Sequence, residues 1–129
     1  MRLPKFSRAL VVVYPHGGWI AEGKKTHLIK SRRYKMWDEP LLMVQKKVAL
    51  AIVQVGEPRE VSLAQFKKLR SHHLVSESER LKWWKGKQTF YYYPITYVKK
   101  LKFPVPVAYP QGPQVFVRRQ NVKISRRKI

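Results

Sequence analysis

Two short apolar runs do most to limit what this chain can fold into. Ala9-Leu10-Val11-Val12-Val13 and the segment Val48–Val55 are rich in β-branched residues and almost free of polar interruption. Runs of this length and type read as strands covered on both faces, and the second reads as a central strand. The first, within residues 8–14, is broken by Pro15-His16-Gly17-Gly18, and the second ends at Gly56-Glu57-Pro58.

The remaining elements are placed around these two. Trp19–Glu22 is a short helix candidate, with Gly23 suited to its left-handed C-cap. Residues 26–34 read as a strand with Leu28 and Ile29 as its apolar part, and Leu41–Val44 as another. Ser62-Leu63-Ala64-Gln65 and Ser76-Glu77-Ser78-Glu79 both have the form of a capping box, and Val61 and Phe66 stand at the positions of a hydrophobic staple. The first of these helices should run to about Ser71, the second through Trp84 to Gly86. Residues 88–101 are strand-rich, with Pro94 implying an edge or a bulge. Phe103-Pro104-Val105-Pro106 is an extended crossing, and Gln114–Arg118 a last strand. Strands outnumber helices without regular alternation. The expectation is an α+β domain over residues 1–117, on a mixed or antiparallel sheet curled into a small barrel, with a short N-terminal helix and two central ones. Half the residues from Arg118 on are basic, so residues 118–129 are expected to form a mobile tail.

Charge narrows the partners. Twenty-eight Lys and Arg against seven Asp and Glu leave a net charge of +21 on 129 residues. Self-repulsion on that scale opposes compaction and calls for an outside polyanion. No apolar run approaches the ~20 residues of a membrane span, and no segment pairs a basic face with a long apolar helical face, so a membrane partner is not expected. The N-terminus does not read as a signal peptide. With no cysteine, disulfides, thiolate zinc sites and cysteine nucleophiles are excluded. A cytoplasmic location is expected.

The densest basic segment is residues 23–35, where six of thirteen residues are Lys or Arg. On a strand Lys30 and Arg32 would share one face, and Ser31 and Arg33 the other. Gly23-Lys24-Lys25-Thr26 is not a P-loop, because a second lysine intervenes and the segment closes a helix instead of opening one. Trp83-Trp84 and Tyr91-Tyr92-Tyr93 could stack on bases, but consecutive aromatics on a strand alternate faces, so most belong to the core. His72 and His73, adjacent on a helix end, point about 100° apart and do not chelate one metal. Seven acids, with Glu77 and Glu79 accounted for by capping, leave little for a two-metal nuclease. No metal and no cofactor is expected.

The order of these motifs, over residues 9–118, resembles the ASCH domain family of the PUA-like β-barrel superfamily. The family runs from an apolar strand through a Trp-bearing short helix with a terminal Gly to a Gly-x-Lys-x-x-Glu-x-Arg pattern. Gly23 and Lys25 match its first half, and residues 93–101, with Pro104, Pro106, Gly112 and Gln114-Val115-Phe116-Val117 after them, look like its C-terminal part. The family's glutamate falls at Leu28 and its arginine at Lys30, or, with two residues inserted, at Lys30 and Arg32; neither register supplies an acid. Some members are amidohydrolases acting on acetylated cytidine, for which the resemblance implies a lysine, a threonine and a glutamate. Lys25 matches the lysine and Thr26 follows it, while the threonine three residues on is replaced by Leu28. Other members are ribonucleases, and many are thought to bind RNA.

The expected function is therefore nucleic-acid binding, RNA before DNA. Lys24, Lys25, Lys30, Arg32 and Arg33 would line a cleft and hold phosphates. Trp19, Trp84 or a tyrosine such as Tyr92 would stack on a base, and His16, between the first strand and two glycines, is a further site candidate. The alternative is a metal-free ribonuclease or acetylcytidine amidohydrolase-like enzyme using Lys25 as base or nucleophile. A third reading is a subunit of a larger ribonucleoprotein or phage particle.

Overall fold

The structure is a computed structural model and describes residues 3–111 and 115–125. Its strands are β1 (Arg8–Val11), β2 (His27–Lys30), β3 (Leu41–Gln45), β4 (Val48–Val55), β5 (Arg59–Ser62), β6 (Thr89–Ala108), β7 (Phe116–Arg118) and β8 (Lys123–Ile124). Its helices are α1 (His16–Ala21), α2 (Leu63–Lys68), α3 (Arg70–His73) and α4 (Glu77–Trp84). The strands form one mixed sheet in the order β2-β6-β4-β3-β1-β7, with β5 and β8 also on β6, curled into a half-barrel. Among the described residues only β1 and β3 run parallel. Among the described residues no helix is long and apolar enough to cross a membrane.

The two apolar runs are the centre of this sheet. β4 sends Ala51, Val53 and Val55 into one cluster with Leu10, Leu41 and Tyr93, and Ala49 and Ile52 into a second with Ala9, Leu42 and Val105. Alternation in β6 does the same for the aromatics. Phe90 and Tyr92 join a third cluster under α2 and α4, while Tyr91 and Tyr93 pack in the first. Pro94 lies in β6 next to a register shift, where Gln54 pairs with Tyr97 but Val55 with Ile95. Both capping boxes are formed, and the staple residues Val61 and Phe66 are buried together. Helix α1 presses on β3 through Gly17, where a Cβ would stand 2.8 Å from Gln45 Oε1 and 3.0 Å from its Cβ.

Several boundaries differ from expectation. β2 ends at Lys30 instead of running to Tyr34, because the buried Tyr93 hydroxyl accepts from the Tyr34 N–H (2.6 Å) and donates to the Tyr34 carbonyl (3.0 Å), taking that backbone out of the ladder. The face shared by Lys30 and Arg32 is therefore not formed, since Ser31 and Arg32 sit in a bend. Helix α1 starts three residues early, at His16. The helix expected to Ser71 is split at Leu69 and ends at Leu74 in the left-handed region (φ 56°). β5 adds a strand. The strand expected over Gln114–Arg118 is β7, Phe116–Arg118, and Gln114 lies outside the described residues. The basic segment from 118 is not a free tail through residue 125. Arg119–Asn121 form a 3-10 turn, β8 pairs with Val107 and Ala108, and Val122 is buried in the second cluster. Its few apolar residues have core to join. Residues 126–129 lie outside the described residues.

A lysine cleft as the candidate functional site

β1 and β2 do not pair, and residues from both line a cleft of about 200 Å³. Val11, Val12 and Val13 come from the end of β1, Leu28, Ile29 and Lys30 from β2, and Val75, Trp83 and Trp84 from around α4. His16 and Lys25 complete the lining. The walls are apolar and the polar groups few, as in sites that enclose a small organic group.

Lys25 is buried, at 4% exposure, yet among the described residues no carboxylate pairs with it. Its ammonium group is anchored instead by neutral acceptors. Nζ donates to the His73 carbonyl at 2.5 Å and lies 3.0 Å from His16 Nδ1. On the other side of the ring, His16 Nε2 is 2.8 Å from Glu79 Oε2. The carboxylate accepts a proton-bearing Nε2, so Nδ1 is left as the acceptor for Lys25. Glu79, His16 and Lys25 thus form one line into the cleft. Trp19 and Trp83 meet the His16 ring edge-on, at 5.0 and 5.8 Å between centroids.

Electrostatics follow from that packing. Burial first, then the Lys30 cation, lowers the Lys25 pKa to about 7, with Glu79 opposing. Burial lowers Lys30 to about 8. Burial and the Lys25 cation lower His16, again against Glu79. Burial pushes Glu79 up, but the Ser76 N–H and His16 outweigh it and hold the carboxyl below its usual range. At neutral pH Lys25 is populated in both forms. The ammonium has a third N–H for an acceptor in the cleft. The free amine, its two N–H groups directed to His16 and His73, keeps a lone pair that can take a proton or attack. His73 itself is spoken for: Nε2 donates to the Phe66 carbonyl at 2.8 Å, and Nδ1 accepts the Val75 N–H at 2.9 Å. Among the described residues no group of His, Asp and Glu side chains is placed to hold a metal ion.

The structure brings together four of the residues singled out in the sequence, His16, Lys25, Lys30 and Trp84, with Trp19 behind His16. It does not bring in the others. Lys24 is exposed and paired with Glu22 at 3.2 Å. Arg32 is exposed and lines none of this cleft. Arg33 pairs with Glu57 at 3.1 Å and lies over Trp37. Tyr92 cannot offer a ring to a base here: it is buried, one face stacked on His27 at 4.1 Å and Arg59 lying 5.4 Å from its centroid. Sequence reasoning missed Glu79 and the carbonyl of His73, and named Trp83 only as part of the Trp83-Trp84 pair. Glu79 was already accounted for as a capping residue, and nothing local announces that its second oxygen reaches His16.

No protein-family model matches this chain, and no curated protein matches it by sequence. Among solved structures it is similar to an ASCH protein from Zymomonas mobilis, with a TM-score of 0.72 at 12% identity over 88% of this chain and 89% of that one. A mutant of the Z. mobilis protein gives 0.71 at 13% identity over 90% of each chain. At this identity the likeness establishes the fold alone, a small α+β half-barrel of the kind found in the Z. mobilis ASCH protein.

Proposed function

We propose that this chain is a nucleic-acid-binding domain, with RNA as its preferred ligand, and that the lysine cleft receives a base or sugar from a single strand. The observation that carries this reading is the placing of Lys25 and Lys30 beside Trp83 and Trp84 in one apolar-walled cleft, on a chain of net charge +21. Aromatic edges and cations within an enclosed space suit an unstacked nucleotide. The dispersed charge supplies affinity for phosphates without sequence preference. A cytoplasmic setting and membership of a larger ribonucleoprotein are compatible with this reading and belong to it as proposals. A titration of single-stranded RNA against salt tests it. The expected result is a steep fall of affinity with ionic strength, and a further loss of about tenfold in Trp84→Ala, as expected for one lost stacking contact. A flat salt response would remove the reading.

The Glu79–His16–Lys25 line favours a second reading: a metal-free hydrolase or nuclease in which Lys25 is the base or nucleophile and His16 its proton partner. Incubation with RNA and with acetylated cytidine discriminates. This reading expects turnover that is lost in Lys25→Ala. Equal turnover in that variant, or none in the wild type, counts against it.

A further inference from the structure

The backbone tie between Thr26, just before β2, and α3 has two sides. Thr26 N–H donates to the His72 carbonyl at 3.0 Å. The residues flanking this bond on one side, Lys25 and His73, meet at the cleft. Those on the other, His27 and His72, stack on each other with ring centroids 5.3 Å apart, and His27 lines a separate hollow of about 270 Å³ with Glu57, Arg59, Tyr92 and Pro94.

Both imidazoles use Nδ1 internally. His27 Nδ1 is 2.8 Å from the Thr26 hydroxyl, and His72 Nδ1 is 2.7 Å from the Tyr92 hydroxyl. Among the described residues neither Nε2 has a hydrogen-bond partner. The Arg59 guanidinium lies 5.4 Å from the centroid of the same Tyr92 ring and, among the described residues, makes no ion pair. His27 and Arg59 line this hollow with Glu57, whose carboxylate is bonded to Arg33, and His72 stacks on His27, so three groups that carry or can accept positive charge stand close together with donors to spare. Such crowding is unfavourable alone, and His27 shows it, its pKa lowered by burial and then by His72 and Arg59. A ligand with several acceptor oxygens and negative charge satisfies all three.

We propose that His27, His72 and Arg59 form a phosphate-binding subsite for the phosphodiester next to the nucleotide held in the lysine cleft. Lys25 and His27 are two residues apart, at most about 7 Å along the chain, within the reach of neighbouring groups on one strand. The subsite rests on the nucleic-acid reading for the source of its phosphate, though not for its chemistry.

The test is NMR titration of the imidazole resonances of the intact protein, with inorganic phosphate and separately with a short single-stranded oligoribonucleotide. Oligonucleotide affinity is measured in parallel for the wild type, Arg59→Gln and His27→Gln. The subsite expects both ligands to raise the pKa of His27 and to move the imidazole resonances of His72, and each variant to lose about tenfold in oligonucleotide affinity at low salt, the scale of one charge-assisted hydrogen bond. A response to inorganic phosphate without one to the oligonucleotide keeps the subsite and removes the nucleic-acid reading. Oligonucleotide binding of equal strength in wild type and variants, with both imidazoles unmoved, overturns the subsite and leaves that reading intact.

Discussion

Glu79 divides one carboxylate between a helix start and the His16 ring that faces the cleft. Oε1 accepts the Ser76 N–H of the capping box at 2.9 Å, while Oε2 holds His16 at 2.8 Å. Glutamine can serve the first task but carries no charge for the second. Glu79→Gln should therefore leave α4 folded while lowering the pKa of both His16 and Lys25, since the carboxylate raises both. The pH dependence of Lys25 acylation, followed by mass spectrometry, reads this directly. Lys25 also makes a stability prediction with a definite sign. Its folded pKa is depressed from 10.5 to about 7, so its burial is least costly at high pH and most costly below neutrality. The stability of the wild type relative to Lys25→Met should improve as pH rises from 7 towards 10, as measured by urea unfolding. His73 follows the same rule in a lower window. It is fully buried and neutral, with a folded pKa of about 4 against 6.5 when free. Its contribution is intact above pH 6.5 and lost as pH falls to about 4, at most about 3 kcal/mol in all. His16 and His27, also lowered, add to the loss. Acid unfolding that begins only below pH 4 would contradict this.

At the scale of elements, the β3–β4 hairpin is held by a two-residue turn whose residues, Lys46 and Lys47, both adopt positive φ, 49° and 58°. That is the turn for which Asn-Gly is the favoured pair, and each lysine is strained there by about 1 kcal/mol. Replacing Lys46-Lys47 by Asn-Gly should stabilise the protein by about 1–2 kcal/mol and raise Tm by several degrees, unless the cation–π contacts of these lysines with Tyr14 and Tyr109 compensate. No change in Tm would show that they do. The helix starts were legible because a capping box is a local pattern, four residues that satisfy their own backbone. The length of β2 was not. Its end depends on the hydroxyl of Tyr93, 59 residues from Tyr34, and no local pattern at 31–34 reports that capture. β5 was missed for a similar reason: Arg59-Glu60-Val61-Ser62 has one buried residue, Val61, and takes its form from the long partner β6.

For the whole molecule, net charge and fold meet in a single measurable consequence. A compact chain at +21 repels itself, and salt screens that repulsion over about 10 Å at 0.1 M. Tm should therefore rise with ionic strength in the free protein, while the proposed complex with RNA should weaken over the same range. Parallel thermal melts and binding titrations check both directions. The amino-acid sequence alone determined the strand-dominated α+β class, the central place of β4, both capped helix starts and the excess of positive charge, because each depends on composition or on residues a few positions apart. Only the tertiary structure decided which cations share a cleft, that Glu79 and His16 stand behind Lys25, that Tyr92 is enclosed and that residues 118–125 are packed. Those outcomes depend on residues such as His16 and Glu79, 63 positions apart, being carried together by the curl of the sheet, and burial then sets their protonation in a way no local pattern encodes.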